Sequence, residues 1–345
     1  MKQKVLVICG GQSTEHRISR MSCQSVLRHI NYDHYEVGVV GIDQDGQWYE
    51  LQTNVPLMEE DWLKDSQKID DVFGLLHKYD IAFPVLHGLY GEDGSIQGLF
   101  ELAKIPYVGC RVLGSSVAMD KIYTKKILET ANIPQVPSLY IKKRYDDVLV
   151  TILDSGEVEA DIASCVASKI GYPCFVKASN SGSSVGCYQV RTESELLPTL
   201  EQASVYDRKI VIEKYIHCAE LECAVLGNDD AIVSRVGQVL PHGEFYTFES
   251  KYEDEESKTC IPAKVSKEVQ DKIREYALLA FRLIDGHGLS RIDFFLDQDT
   301  NQIYLNEINT LPGFTAISMY PQLMEDFGIS YTELMDRLLQ LAKER

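Results

Sequence analysis

The sequence predicts an α/β protein that opens with a doubly wound parallel sheet. Lys4 to Cys9 (KVLVIC) is a continuous apolar run ending in Gly10-Gly11, as expected of a parallel strand covered on both faces. Strand and helix patterns then alternate, the order of βαβ units. The 345 residues, 45% hydrophobic and 25% charged, have the composition of an ordinary globular chain. At about 150 residues per domain they allow two or three domains.

Each element follows from local pattern. A helix is expected over Ser22 to Ile30 and the next strand over Tyr35 to Ile42 (YEVGVVGI). Asp80 to Leu86 reads as a third strand, with Pro84 marking an end or an edge. This first region, 1–112, closes near Val108-Gly109-Cys110. A second region, 113–209, opens with a helix over Ser116 to Thr130. Short strands follow at Ser138 to Ile141, Cys174 to Lys177 and Cys187 to Val190. Thr192 with Glu195 forms a capping-box pair for a helix to about Ala203. The third region, 210–345, carries strands at Ile210 to Lys214, Leu221 to Leu226 and Ala231 to Val236, then a long helix from about Ser266 to Ile284. A strand pair, Ser290 to Leu296 and Gln302 to Asn309, precedes a last helix capped by Ser330 with Glu333. No internal repeats or low-complexity linkers intervene, so tight packing with clefts between the regions is expected.

Charge and cysteine usage narrow the function. Lys and Arg total 34 against 52 Asp and Glu, a formal charge of -18. A surface this acidic repels phosphate backbones and anionic lipid, which argues against nucleic-acid and membrane-surface roles. No apolar run approaches the roughly 18 residues of a membrane span. The start, MKQKVLVICGGQ, has no signal-peptide pattern, and nine cysteines lie scattered without a CxxC pair. A cytoplasmic enzyme with reduced thiols is the expectation.

The late hairpin, SRIDFFLDQDTNQIYLNEINTLPGF, is the most informative stretch. Alternation puts Arg291, Asp293 and Phe295 on one face of its first strand, and Leu305, Glu307 and Asn309 on one face of its second. A turn at Asp299 or Thr300 brings Asp293 nearly opposite Glu307. Like charges opposed across strands are destabilising unless a cation lies between them. Carboxylates and an amide oxygen without His or Cys form a hard site that suits Mg²⁺ with phosphate oxygens. A solvated outer face is the alternative.

Other stretches are weaker alone. Lys177 runs into Ala178-Ser179-Asn180-Ser181-Gly182-Ser183-Ser184-Val185-Gly186, a loop able to offer backbone N–H groups to phosphate, although a simple flexible hairpin is the commoner explanation of such a stretch. The order of a Walker A loop is absent. His87-Gly88-Leu89-Tyr90-Gly91-Glu92-Asp93-Gly94 follows a strand, where α/β folds bind ligands, and a structural role for His87 is the alternative. Gly10-Gly11-Gln12-Ser13-Thr14-Glu15 lacks the dinucleotide fingerprint, which weighs against a nicotinamide enzyme. Glu213-Lys214-Tyr215-Ile216 reads as an adenine-contacting hinge or as core. Lys251 and Tyr252 stand where an aromatic segment turns acidic, as a lid over a cleft or as surface loop.

Together these segments resemble the D-alanine–D-alanine ligases of the ATP-grasp superfamily. The resemblance rests on GGQSTEHRIS, LHGLYGEDGSIQGLFELAKIPYVG, MDK, VKASNSGSSVG, EKYI followed by Glu220, SKY, SRIDFF and NEINTLPGFT, in family order over essentially the whole chain. It implies three α/β domains, with ATP between the central and C-terminal ones. It implies that Lys121 and Lys177 contact ATP phosphates, that Glu213, Tyr215 and Ile216 form the adenine hinge, and that Glu220 binds ribose. Lys214 and Phe295 are grouped with these ATP-binding residues. Asp293, Glu307 and Asn309 match ligands of two Mg²⁺ ions, with Mn²⁺ as a substitute. Glu15 matches the acid that holds the first D-alanine's ammonium, with Ser183 and Tyr252 its hydrogen-bonded companions. Lys251 matches a lid lysine, and Arg291 with the N–H of Gly313 the stabilisers of a tetrahedral intermediate. Ser318 and Met319 fall at the second substrate's carboxylate, and His87 near the first substrate.

The implied reaction is ATP-dependent ligation of two D-alanines through an acyl phosphate, supplying a peptidoglycan precursor in the cytoplasm of a homodimeric enzyme. Phosphoryl transfer needs charge neutralisation and alignment more than covalent help, which the residue types provide. Tyr252 favours D-alanine as second substrate. The alternatives are a related ligase using D-lactate or D-serine, and a non-catalytic nucleotide- or amino-acid-binding protein on the same fold.

Overall fold

The computed structural model describes residues 2–153, 155–240 and 258–344. The first region runs β1 (Gln3–Gly10), α1 (His16–His29), β2 (Tyr35–Ile42), β3 (Trp48–Leu51), β4 (Gln67–Lys68), α2 (Val72–Leu76), β5 (Ile81–Pro84) and α3 (Ser95–Ala103). Its sheet has the order β4-β3-β2-β1-β5. β1 is parallel to β2 and to β5, so the expected doubly wound core is present, and Pro84 ends the edge strand as anticipated. β3 and β4 extend the sheet antiparallel, which the sequence reading did not anticipate. α1 begins at His16 rather than Ser22, because its buried face includes His16, Ser19, Ser22 and Ser25, which carry no apolar period.

The next elements are α4 (Val112–Met119), α5 (Lys121–Glu129), β6 (Ser138–Lys143), β7 (Leu149–Leu153), β8 (Gly156–Val158), α6 (Ile162–Lys169), β9 (Cys174–Ala178), β10 (Cys187–Val190), α7 (Glu193–Ser204) and β11 (Lys209–Lys214). The single helix expected over Ser116 to Thr130 is two helices, broken at Asp120. Asp120 caps α5 by accepting from the N–H groups of Ile122 (3.1 Å) and Tyr123 (3.3 Å). Its carboxylate also pairs with Lys209 and accepts from Ser179 Oγ at 2.7 Å. At α7 the expected capping box is not formed: Thr192 makes no side-chain cap bond, and Glu195 accepts from the N–H of Arg191, one residue before the cap, at 2.8 Å.

The second sheet has the order β10-β9-β11-β6-β7-β8. β11 lies inside it, antiparallel to both β9 and β6. The break between the second and third sheets therefore falls after Lys214, a few residues later than the expected start at 210. α4 and α5 bridge to the third region: Ala118 and Leu128 lie in one buried cluster with Phe281, Ile292 and Ile308, while Lys125 of α5 still pairs with Glu213 of β11.

That region contains β12 (Cys218–Gly227), β13 (Ile232–Leu240), β14 (Lys258–Cys260), α8 (Lys267–Leu283), β15 (Gly288–Asp297), β16 (Ile303–Asn309), α9 (Met319–Asp326) and α10 (Tyr331–Leu341). Its sheet, β14-β13-β12-β15-β16, is antiparallel throughout. α8 covers one face through Ile273, Ala277 and Phe281. On the other face Ala224, Leu226 and Tyr320 share a cluster with Val5, Val7 and Phe83 of the first sheet. First and third regions are thus welded by one core, and the cleft edge of β15–β16 faces loops from all three.

Candidate active site

The site is built on the β15–β16 hairpin. Asp293 pairs directly with Glu307, and Arg291 with Asn309, as the sequence spacing predicts. A β-bulge then intervenes, so that Phe294 pairs with Leu305 and Asn306 is the extra residue. Leu305 consequently enters the core instead of sharing the face of Glu307, which corrects the simple alternation. Arg291 forks onto Asp293, Nε donating to Oδ1 at 2.8 Å and Nη2 to Oδ2 at 2.7 Å. Asn309 Nδ2 donates to Asp293 Oδ2 at 3.0 Å. Glu222 of β12, which the sequence reading missed, lies 2.8 Å from Arg291 Nε.

Strand β11 supplies the next layer. Glu213 is 3% exposed and bridges two lysines, Lys125 at 2.7 Å and Lys177 at 2.5 Å. Burial alone would raise the Glu213 carboxyl, but the two ammonium groups outweigh it and pull it down to about 2. The converse holds for Lys177: burial would lower it, and Glu213 with Cys187 and Glu307 drives it well above the usual lysine range. Its Nζ also sits 5.8 Å above the Phe295 ring centre. Burial lowers Lys121, opposed by Glu307, and its Nζ donates to the Ser181 carbonyl at 2.5 Å. Glu213 thus anchors two lysines through its side chain, which the residue type alone did not reveal. Tyr215 stacks near Phe175 with ring centres 6.2 Å apart.

On the other side of the hairpin, Ser183 Oγ donates to Glu15 Oε1 at 2.5 Å, joining the serine-rich loop to the first strand's loop. Ser183 and Ser184 both have left-handed backbones, φ 49° and 60°. Ser13 Oγ donates to the His87 carbonyl at 2.6 Å. His87 is buried, which lowers its pKa and keeps the ring neutral. Its Nδ1 lies 2.9 Å from the Leu311 carbonyl and its Nε2 2.9 Å from Ser22 Oγ, which itself accepts from the Phe314 N–H at 3.1 Å. Glu92, not singled out from the sequence, accepts from the N–H of Gly88 (2.8 Å) and of Leu311 (3.0 Å). Burial and the nearby Glu15 push its carboxyl up to about 8. Ser22, His87 and Glu92 together fix the loop that carries Gly313. A Cβ at Gly313 would come within 2.8 Å of Ser318 Oγ. Ser318 precedes α9, and its Oγ accepts from the Thr315 N–H at 3.0 Å.

Two cavities meet here. One of about 590 Å³ is lined by Lys121, Lys177, Glu213 to Glu220, Phe295 and Glu307. The other, about 100 Å³, is lined by Glu15, His87, Arg291, Gly313, Ser318 and Met319, among others. Lys121, Ser181 to Ser183 and Glu307 line both. Of the residues predicted from sequence, all described ones except Asp293 line one cavity or the other; Asp293 lies beneath Arg291. Lys251 and Tyr252 lie outside the described residues. Among the described residues no three His, Cys, Asp or Glu side chains converge as a metal cage. Two carboxylates and an amide fit instead an ion whose shell is completed by phosphate and water, as Mg²⁺ prefers.

Comparison with known proteins follows the same division. The D-ala D-ala ligase N-terminus family matches residues 4–110, and the D-ala D-ala ligase C-terminus family matches residues 127–340. The chain belongs to the D-alanine–D-alanine ligase family. Its membership makes it an ATP-dependent ligase that uses a divalent metal. A D-alanine–D-alanine ligase from Acetivibrio thermocellus is 46% identical, the alignment covering 100% of this chain and 96% of the relative. One from Clostridium novyi is 44% identical over 100% and 99%. Among solved structures, the Coxiella burnetii D-alanine–D-alanine ligase superposes with a TM-score of 0.86 at 34% identity, covering 100% of this chain and 94% of that one. The VanG D-Ala:D-Ser ligase of Enterococcus faecalis gives 0.86 at 33% identity, over 99% and 100%.

Proposed function

We propose that the enzyme joins two D-alanine molecules into D-alanyl-D-alanine for peptidoglycan precursor synthesis, converting ATP to ADP and phosphate. The observation that carries this reading is the meeting of a nucleotide-sized cleft and a small polar cavity at Glu307 and Ser181–Ser183. A carboxylate held in the small cavity there lies beside the end of a triphosphate held in the large one. Full-length relatives at 41–46% identity are D-alanine–D-alanine ligases, which supports D-alanine as both substrates.

In this reading Glu15, braced by Ser183, binds the first D-alanine's ammonium and turns its carboxylate toward the cleft. That carboxylate attacks the γ-phosphorus, the bond to ADP breaks, and an acyl phosphate forms. Lys121 and Lys177 hold phosphate oxygens, and Tyr215, Ile216 and Glu220 hold the nucleoside, with Lys214 and Phe295 beside them. Asp293, Glu307 and Asn309 would hold two Mg²⁺ ions, or Mn²⁺ in their place, which neutralise charge on the transferring phosphoryl group. The second D-alanine's amine then adds to the acyl carbon, its carboxylate at Ser318 and Met319, while Arg291 and the Gly313 N–H stabilise the oxyanion. Phosphate leaves with the electron pair and carries off one proton from the nitrogen, which keeps the other as the peptide N–H, giving the dipeptide. Lys251 and Tyr252 act from the segment outside the described residues as lid groups. A homodimer joined through the N-terminal regions is part of this reading, as the family resemblance implies. A cytoplasmic location accompanies the use of ATP.

The test is phosphate release from Mg·ATP with D-alanine alone, with product mass measured. The expected product is the dipeptide. Turnover only with D-serine or D-lactate added would move the enzyme to the mixed-product ligases, and ATP binding without turnover would overturn the reaction.

A further inference from the structure

Glu222, Asp293 and Glu307 stand in one row across β12, β15 and β16, each directly opposite the next. Side chains so opposed lie about 5 Å apart. The next row is Ala224, Arg291 and Asn309. Arg291 is the arginine bonded within these rows, and Lys121 faces Glu307 from outside them. Glu222 and Asp293 are 7% and 8% exposed, so their charges depend on protein partners more than on water.

The contacts of Arg291 divide unequally. Both Nε and Nη2 donate to Asp293, while Glu222 Oε2 lies at 2.8 Å from the same Nε as an ion pair. One N–H cannot serve two acceptors fully. Asp293 also accepts from Asn309, so its two oxygens are the contested ones. Glu222 lines the small cavity with Arg291. We propose that Glu222 is a positioning residue that keeps the Arg291 guanidinium at the small cavity and thereby lets Asp293 turn its oxygens to a divalent ion. Without it, Arg291 and the ion compete for one carboxylate. The inference rests on the reading of Asp293 and Glu307 as metal carboxylates.

The experiment is Mn²⁺ binding, followed by electron paramagnetic resonance, to the full enzyme with a non-hydrolysable ATP analogue. It is run on the wild type, Glu222→Gln, Arg291→Met and the double variant. Glu222→Gln is expected to weaken Mn²⁺ about tenfold, as loss of an outer partner does at metal sites. In the Arg291→Met background the same change is expected to have little further effect, because the competitor is gone. An equal loss in both backgrounds would show that Glu222 acts through its charge alone and would overturn the proposal, as would unchanged binding in the single variant. If Glu222→Gln does not fold, Glu222→Asp replaces it, with a smaller loss expected and the same overturning results. No Mn²⁺ binding in the wild type would instead overturn the metal assignment on which the proposal rests.

Discussion

Glu213 joins Lys125 and Lys177 in a buried triad at the floor of the nucleotide cleft. Its carboxyl, held at about 2, lies below the ordinary glutamate value. A depressed acid adds stability above its unfolded value of about 4.3 and loses it as pH falls through the folded one. Glu213→Gln leaves two buried ammonium groups without their anion, and removing one partner of a buried pair costs about 3–5 kcal/mol. Denaturant melts at neutral pH should show that loss, and the gap from wild type should close between about pH 4.5 and pH 2. A gap constant across that range would mean that Glu213 stabilises by packing. At the hairpin, Glu307→Gln is expected to abolish metal-dependent turnover while metal-free nucleotide binding persists. Near-normal activity would remove Glu307 from the metal site. Arg291→Met should lower kcat by about 10² to 10³, the effect of losing one preorganised donor.

At the scale of elements, local chemistry decides what could be read in advance. The register of Asp293 against Glu307 was legible because two strands of alternating character flank one short turn. The bulge at Asn306 was not, since nothing in the pattern marks one extra residue. The true start of α1 was hidden because its first turns bury His16 and Ser19 beside a single Ile18, the polar groups being satisfied by hydrogen bonds such as Gly10 N–H to Ser19 Oγ at 2.8 Å. Asp120 lay unnoticed inside an apparently continuous helix, although its cap sets where Lys121 points. Lys125 and Glu222 were missed because neither belongs to a recognisable motif; each matters through a partner distant in sequence. The serine-rich loop stood out by composition, which does not separate a phosphate cradle from a flexible turn; its two left-handed residues give a further expectation. Ser184→Gly relieves a strained backbone and should raise the melting temperature slightly, whereas Ser183→Ala breaks the bond to Glu15 and should raise KM for D-alanine. Equal KM values for Ser183→Ala and wild type would release Ser183 from the substrate site.

The whole molecule depends on how the first region docks on the third. Their shared core brings Ser22, His87 and Glu92 to Leu311 and Phe314. Glu92→Gln replaces an acceptor with an N–H donor beside an existing N–H, so the Gly313 loop should shift. The expected result is a kcat reduced about tenfold or more, with nucleotide affinity retained. An unchanged kcat would free the loop from this control. Glu92 also carries a sign of its own: a carboxyl raised to about 8 favours folding below its unfolded value and loses that advantage as pH rises to 8. The wild-type melting temperature should therefore fall more steeply than that of Glu92→Gln between about pH 4.5 and 8.

The same docking limits how such an enzyme can be taken apart or recombined. On the proposed assignment, the half that recognises the first amino acid also holds the backbone that completes the peptide bond, so neither half would be a free-standing module. A chimera that borrows a relative's N-terminal half inherits a working reaction centre only if the borrowed half brings a hydroxyl, an imidazole and a carboxylate to the same three places.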